Sequence, residues 1–375
     1  MGLKKGVLLA AAAVAAVGGL GEAQAGATIN FGEDKSVSVG FGMRESFTSA
    51  ENGAPNGTDR SSDFNLDSAR LFFGASLNKN IKGMLNTEWD GDKIRILDAA
   101  GQFAISPELN IWAGRLLSPS DRANMAGPYY SLGGGYWAGV ASRYGYNGGI
   151  FRGRDDGVVV WGNAGEGGKL GYSFGAFEGH TFGIGSLTQS QAKAAGVKAD
   201  DSLMYAGRVQ YDFWDAEPGY YGTGNYIGGA DILAIGVAGR YQKDGILTIA
   251  QNGKYSAYNV DFLLEKRIKG SGAVALEAAY YDYDTDDIIK SEQGKAYSAG
   301  ASFIFEDKVG WGKFQPFARW QKFSADTNID TKQIDAGVNY IIDGYNAQIS
   351  AVYSKTKVTK AADLDKFSVT LQLQF

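Results

Sequence analysis

The feature that most limits what this chain can become is a period of two in hydrophobicity, repeated from end to end. In 366–375, Phe367, Val369, Leu371, Leu373 and Phe375 alternate with Ser368, Thr370, Gln372 and Gln374. Tyr258, Val260, Phe262 and Leu264 face away from Asn259, Asp261 and Glu265, and Ile334, Ala336, Val338, Tyr340 and Ile342 oppose Asp335 and Asn339. Successive strand side chains point to opposite faces, so this beat predicts strands with one apolar face. About sixteen such segments can be marked, near 36–48, 64–77, 81–90, 93–105, 109–117, 154–163, 169–178, 204–213, 232–243, 256–269, 272–285, 295–305, 313–325, 330–342, 346–356 and 366–375. Most are about ten residues or longer, enough for a tilted strand to cross a bilayer, and an even count suits a single-chain barrel.

Two architectures have this pattern, a soluble sheet protein and a closed membrane barrel. The connections separate them. Alternate connections are short (78–80, 106–108, 164–168, 270–271, 343–345), while those at the other end include 49–63, 118–153, 179–203, 244–255, 286–294 and 357–365. A transmembrane antiparallel β-barrel with short periplasmic turns and long extracellular loops sorts its loops this way; a sandwich has no reason to. One connection, 214–231, is long where a turn is expected. Beyond residue 25 no run of 18 apolar residues occurs, so no helix is predicted to span a membrane.

Residues 1–25 read as a cleaved export signal. Lys4 and Lys5 form a positive start, 7–20 is apolar or glycine, and Ala23-Gln24-Ala25 supplies the small-x-small cleavage site after Ala25. The barrel domain is then 26–375.

Composition excludes several functions. There is no cysteine and one histidine, His180, which removes thiol chemistry and Cys-based metal sites and leaves general-base catalysis without its usual residue. A net charge of −5 argues against a nucleic-acid partner. Asp282-x-Asp284-x-Asp286-Asp287 imitates the start of a calcium loop but has Asp287 where glycine is needed and Gln293 where glutamate is needed. Gly222 and Gly224 could open a dinucleotide fingerprint, whose third glycine is replaced by Ile227. The expectation is a non-enzyme without metal or cofactor.

The run from Tyr211-Asp212-Phe213-Trp214 through Glu217-Pro218-Gly219-Tyr220-Tyr221 to Asn225-Tyr226-Ile227-Gly228-Gly229-Ala230-Asp231 resembles the middle of the phosphate-selective porin O and P family. Phe64 to Leu71 and Arg154-Asp155-Asp156-Gly157-Val158 are similar to two of that family's strand motifs. The resemblance implies a Gram-negative outer-membrane porin, commonly a homotrimer, and a family that tolerates an elaborate connection at 214–231. A last strand ending on Phe375 resembles outer-membrane barrels in general, which implies outer-membrane lipid around the wall and recognition of that strand by the barrel assembly machinery.

A sixteen-stranded barrel is wide enough for a water-filled channel, so the lumen charges and an inserted loop would set selectivity for small hydrophilic solutes. Loop 118–153, with Gly133-Gly134-Gly135, is the candidate to fold into the lumen. The charges in and beside it, Arg115, Asp121, Arg122, Arg143, Arg152, Arg154, Asp155 and Asp156, are the candidate constriction; guanidinium forks suit phosphate and carboxylate solutes. Equally, these arginines could pair with Asp121, Asp155 and Asp156 to hold the loop on the wall. Arg70, Arg95, Arg208, Arg240, Arg267 and Arg319 are assigned to the lumen, among them and Lys82 set against Glu88, Asp90, Asp261, Glu265, Glu277 and Asp335. That mixture is no anion ladder, so the reading is a diffusion porin with a weak anion preference at the constriction. The alternatives are a sheath around a redox partner in a trans-membrane conduit, and a structural or adhesive surface barrel. The aromatics Trp112, Trp161, Tyr220, Tyr221 and Tyr281 are expected in interfacial girdles with Trp89, Trp311 and Tyr340.

Overall fold

The computed structural model describes residues 26–89, 91, 93–133, 139–144, 153–181, 194, 196, 201–248 and 251–375. The signal segment with Ala25, and Asp90, Gly134, Gly135 and Arg152, lie outside the described residues.

Each alternating segment forms a strand. In chain order they are β1 (Ala27–Gly32), β2 (Lys35–Ala50), β3 (Asp63–Ser76), β4 (Ile81–Trp89), β5 (Ile94–Ser106), β6 (Leu109–Leu117), β7 (Arg154–Ala164), β8 (Leu170–Phe177) and β9 (Met204–Asp212). They continue with β10 (Ile232–Leu247), β11 (Asn252–Ile268), β12 (Gly272–Asp284), β13 (Gly294–Phe305), β14 (Lys313–Ala325), β15 (Asp330–Asp343), β16 (Ala347–Val358) and β17 (Leu364–Gln374). Every strand from β2 to β17 pairs antiparallel with its sequence neighbours, and β17 pairs β2, with Gln374 opposite Gly42 and Lys366 opposite Ala50. Sixteen strands thus close into a ring, leaving no open edge for the bilayer to desolvate.

The sequence reading missed β1. It continues the line of β17 past the chain end, pairing with 35–39 of β2, and Gly26 abuts Phe375 so closely that a Cβ there would lie 2.4 Å from the Phe375 carbonyl carbon. Loop 244–255 also proves shorter than expected, because β10 and β11 run on to Leu247 and from Asn252.

Burial is inverted relative to a soluble protein. Ile235, Val237, Tyr258, Val260, Ile334 and Tyr353 are exposed, whereas Arg44, Glu88, Asp98, Arg208, Asp261 and Asp335 are buried. Charged residues are almost never buried unless paired; here they line an inner wall, and the apolar face of every strand points outward to where lipid would lie. A ladder of Tyr258, Tyr280 and Tyr297 on that face, with ring centres 6.1 and 5.3 Å apart, suits an interfacial belt. Trp112, Trp161, Tyr220 and Tyr221 do not join a belt. They pack together inside, with Trp112 and Trp161 edge to face at 5.3 Å.

Candidate pore and its two inner elements

The first inner element begins where β6 ends. Ser118, Ser120 and Asp121 lead into a one-turn helix, α1 (Arg122–Ala126), and the chain then follows the inner wall to Leu132; Val140 to Tyr144 is held there too. The wall binds it at many points. Arg208 donates to the Ser120 carbonyl at 3.2 Å, Arg240 to the Tyr144 carbonyl at 3.1 Å, and Gln372 to the Tyr129 carbonyl at 3.0 Å. Gln321 accepts from the Val140 and Ala141 amides, and Arg319 donates to the Leu132 carbonyl. The Ser120, Tyr129, Leu132 and Tyr144 carbonyls, which would otherwise be orphaned, are satisfied by wall side chains.

The second inner element is the connection 213–231. Asp215 and Asp231 close its base with a backbone hydrogen bond of 3.0 Å, and between them the chain rises into the barrel. Tyr220 donates to the Leu117 carbonyl at 2.5 Å, and Gly219 donates to Asn163 at 3.0 Å. On the far wall Gln315 donates to Asn225 at 3.0 Å, and Tyr345 donates to the Asn225 carbonyl at 2.5 Å. The connection therefore runs as a bar from β6 and β7 to β14 and the turn before β16. Its pocketed aromatics explain why Trp112 and Trp161 face inward.

Arg122 joins the two elements. Its guanidinium makes two hydrogen bonds to Glu217, at 2.7 and 2.6 Å, and one to the Thr223 carbonyl at 2.9 Å. Its amide donates to Asp261, which holds Arg208 at 2.5 and 2.8 Å. Burial works against both charges, yet the Glu217 carboxylate keeps Arg122 above its ordinary value, and Arg122 keeps Glu217 below its own. The Arg208–Asp261 pair spans β10 over Gly236, where any Cβ would lie 2.2 Å from the Arg208 guanidinium. Glycine is required there by the approach of the ion pair.

The expected constriction residues therefore separate. Asp121 is fully buried, accepting from Ser142 and Tyr281 at 2.9 Å each, and burial raises its pKa to about 6. Arg143 pairs with Glu292 and stacks on Phe323. Asp155 is buried against the Gly179 amide, with His180 at 3.4 Å. Arg115 and Asp156 pair at 2.8 Å in the outward alternation of Val158, away from the lumen, because their strand positions have the lipid-facing parity. Arg154 donates to Asp98 at 3.1 Å and borders a cleft on the β3–β7 side. Among the lumen arginines, Arg70 pairs with Glu88 at 2.6 Å and Arg319 with Asp335 at 3.1 Å, whereas Arg240 meets Ser118 and Tyr144. Arg95 is exposed opposite Glu88, and Arg267 is at the turn-end rim, tied to Asp231.

Open space is found beside the bar, in a small cleft among Arg122, Arg208, Gln210 and Glu217, and more extensively on the β3–β7 side of the barrel. One cleft is bordered by Arg70, Asp98 and Arg154 on the wall and by Asn124, Met125 and Tyr130 on the loop. A second, toward the turn end, is bordered by Ser36, Ser76, Lys82 and Gln102. The two adjoin at Phe72, Asn86 and Tyr221. Beside them Arg44, 4% exposed, faces the Tyr129 ring at 5.3 Å and forms no ion pair among the described residues. The sequence reading omitted Arg44, although it falls on the inward beat of β2 with Gly42 and Ser46. It had no means of finding Glu217 as the partner of Arg122, because the two are 95 positions apart.

No family model and no curated protein matches the chain, so the likeness to phosphate-selective porins rests on the quoted residues alone. Solved structures do match. OprB of Pseudomonas putida superposes with a TM-score of 0.62 at 10% identity, over 90% of this chain and 94% of that one. An anion-selective porin from Comamonas acidovorans gives 0.57 at 12%, over 91% and 100%, and the trimer form of OmpT from Vibrio cholerae gives 0.55 at 13%, over 92% and 100%. The chain has the fold of the Gram-negative outer-membrane porins and channels.

Proposed function

We propose that this protein is an outer-membrane porin, a passive channel for small hydrophilic solutes or ions. The observation that supports it best is the pair of adjoining clefts on the β3–β7 side of a closed ring, bordered between them by Arg70, Asn86, Asp98 and Arg154. The described part of the loop, 118–133 and 139–144, narrows that channel. The paired charges on its wall cancel, and Arg44, which forms no ion pair among the described residues, leaves a small positive excess. A weak anion preference follows, in keeping with the Comamonas neighbour and without the dense basic track of a phosphate channel. With no cysteine and a single histidine, the chain lacks the usual residues of nucleophilic and general-base catalysis, so the reading is a non-enzyme.

Residues 1–25 are read as a removed export signal; cleavage after Ala25 would set the new ammonium of Gly26 beside the Phe375 carboxylate. Phe375 would also be the strand end read by the assembly machinery. A homotrimer in outer-membrane lipid is the assembly proposed, supported by the trimer form of the Vibrio neighbour.

Planar-bilayer recording of the purified protein tests the reading. A porin gives discrete steps and a reversal potential displaced modestly toward anions. A sheath around a redox partner conducts only after the partner is removed, and a structural barrel is silent; either result would sink the porin assignment.

A further inference from the structure

The bar formed by 213–231 has no explanation in strand closure. β9 and β10 are already joined at Asp215 and Asp231, where a two-residue turn would serve. Instead the chain makes a detour that buries Tyr220, Thr223 and Asn225 at the middle of the barrel. It meets the loop element directly: the Gly224 amide donates to the Tyr130 carbonyl at 3.0 Å, Arg122 grips Glu217 and the Thr223 carbonyl, and Gly222 stands against Met125. It also meets both opposed walls, at Asn163 and at Gln315. A segment bound at both ends and along its top cannot swing freely, and its buried hydrogen bonds would be lost in any other position.

We propose that this turn-end connection is a second, fixed constriction. It is fastened from below to the loop that enters from the opposite side, and it confines the solute path to the β3–β7 side. On this account Arg122 and Glu217 are positioning residues that set the aperture, and the aperture belongs jointly to Tyr221 on the bar and Met125 and Tyr130 on the loop. The proposal rests on the channel reading above but does not share its fate, as the outcomes show.

Two variants test it, both checked first for a folded barrel by heat-shifted mobility on a gel. In the first, 216–230 is replaced by a short Gly/Ser turn between Asp215 and Asp231. Single-channel conductance should rise by about two-fold or more, and the largest polyethylene glycol that enters from the turn side should grow, because rings and constrictions in a pore act in series. A folded variant with unchanged conductance and cut-off overturns the proposal while leaving the porin reading intact. If the parent protein is silent and the shortened one conducts, the bar is confirmed as the obstruction and the porin reading fails. If both are silent, both fail.

The second variant avoids deletion. The chain contains no cysteine, and a Cβ on Gly222 would lie 3.4 Å from that of Met125, close to the spacing a disulfide needs. The double substitution Met125→Cys with Gly222→Cys should cross-link under mild oxidation. Closing the bridge should leave conductance unchanged, because the two elements are already fastened. Failure to cross-link, or a conductance that changes on oxidation, means that loop and bar part in the membrane, and overturns the fixed constriction.

Discussion

The two sides of this barrel use the same residue types for different ends. On the side of β9 to β15, Arg208 and Arg319 pair with Asp261 and Asp335 on the wall and are also covered by the loop, donating to its Ser120 and Leu132 carbonyls. On the side of β3 to β7, Arg70, Asp98 and Arg154 pair within the wall and border open space. The lesson is that an arginine on the inward beat of a strand is a lumen residue but not thereby a solute contact. What decides is whether a second element covers it. Covered charges fix the shape of the channel, and uncovered ones set the field inside it.

The sharpest way to break this contrast is to remove a charge from the covered side. Arg122→Gln leaves Glu217, buried at the bar, without its cation. Breaking one partner out of a buried pair costs about 3–5 kcal/mol. Backbone amides of 122–126 and 216–229 should therefore exchange with solvent faster by roughly two to three orders of magnitude, at little change elsewhere in the wall. Exchange that stays uniform would mean that the pair does not fasten the two elements.

Asp121 sharpens the same side through pH. Its folded pKa, raised by burial to about 6 from 3.8, makes the folded loop bind a proton more readily than the unfolded one. The loop's attachment should thus strengthen as pH falls from about 6 to about 4, by at most about 3 kcal/mol, and level off outside that window. Asp121→Asn should abolish the dependence. Hydrogen exchange in 120–126, corrected for intrinsic rates and followed across that range, would show a flat profile in the variant and a sloping one in the parent. A sloping profile in both assigns the titration to another group.

On the open side the expected readout is selectivity. Arg44 has no carboxylate to abandon among the described residues, so Arg44→Gln should change stability by less than about 1 kcal/mol, a neutral amide being cheaper to bury than a lone charge. The reversal potential under a salt gradient should move toward cations. If it stays where it was while stability falls, Arg44 is a packing residue under Tyr129 and the excess charge lies elsewhere.

How much of this could be read from the chain follows from the range of each signal. Strand positions were legible because Phe367 to Phe375 or Ile334 to Ile342 state their parity within one segment. Arg70, Arg208 and Arg319 were legible as inward residues for the same reason, and Arg44 could have been. The bar was visible only as an anomalous length at 214–231; nothing local says that Tyr220 reaches Leu117 or that Asn225 reaches Gln315, contacts separated by about a hundred residues. Trp112 and Trp161 were misplaced because strand aromatics suit a girdle and an interior equally well. Strand β1 escaped although Ala27, Ile29 and Phe31 alternate with Thr28 and Asn30, because six residues fall short of the length expected of a bilayer-crossing strand.

The smallest effect is expected at Arg115 and Asp156, the pair on the outward alternation. Both side chains are partly exposed, and an exposed ion pair contributes about 0–1 kcal/mol. Asp156→Asn should therefore shift the unfolding midpoint by little, and less still at high salt, where exposed charges are screened. It should also leave the reversal potential alone, since the wall lies between this carboxylate and the channel. That second half gives the comparison its control: Arg154, two positions away, borders the open cleft, so Arg154→Gln should move the reversal potential while Asp156→Asn does not. Arg154 shares the strand parity of Asp156 but is buried against Asp98, so equal shifts from the two would mean that this burial does not separate the field of the pore from the field of the outer surface.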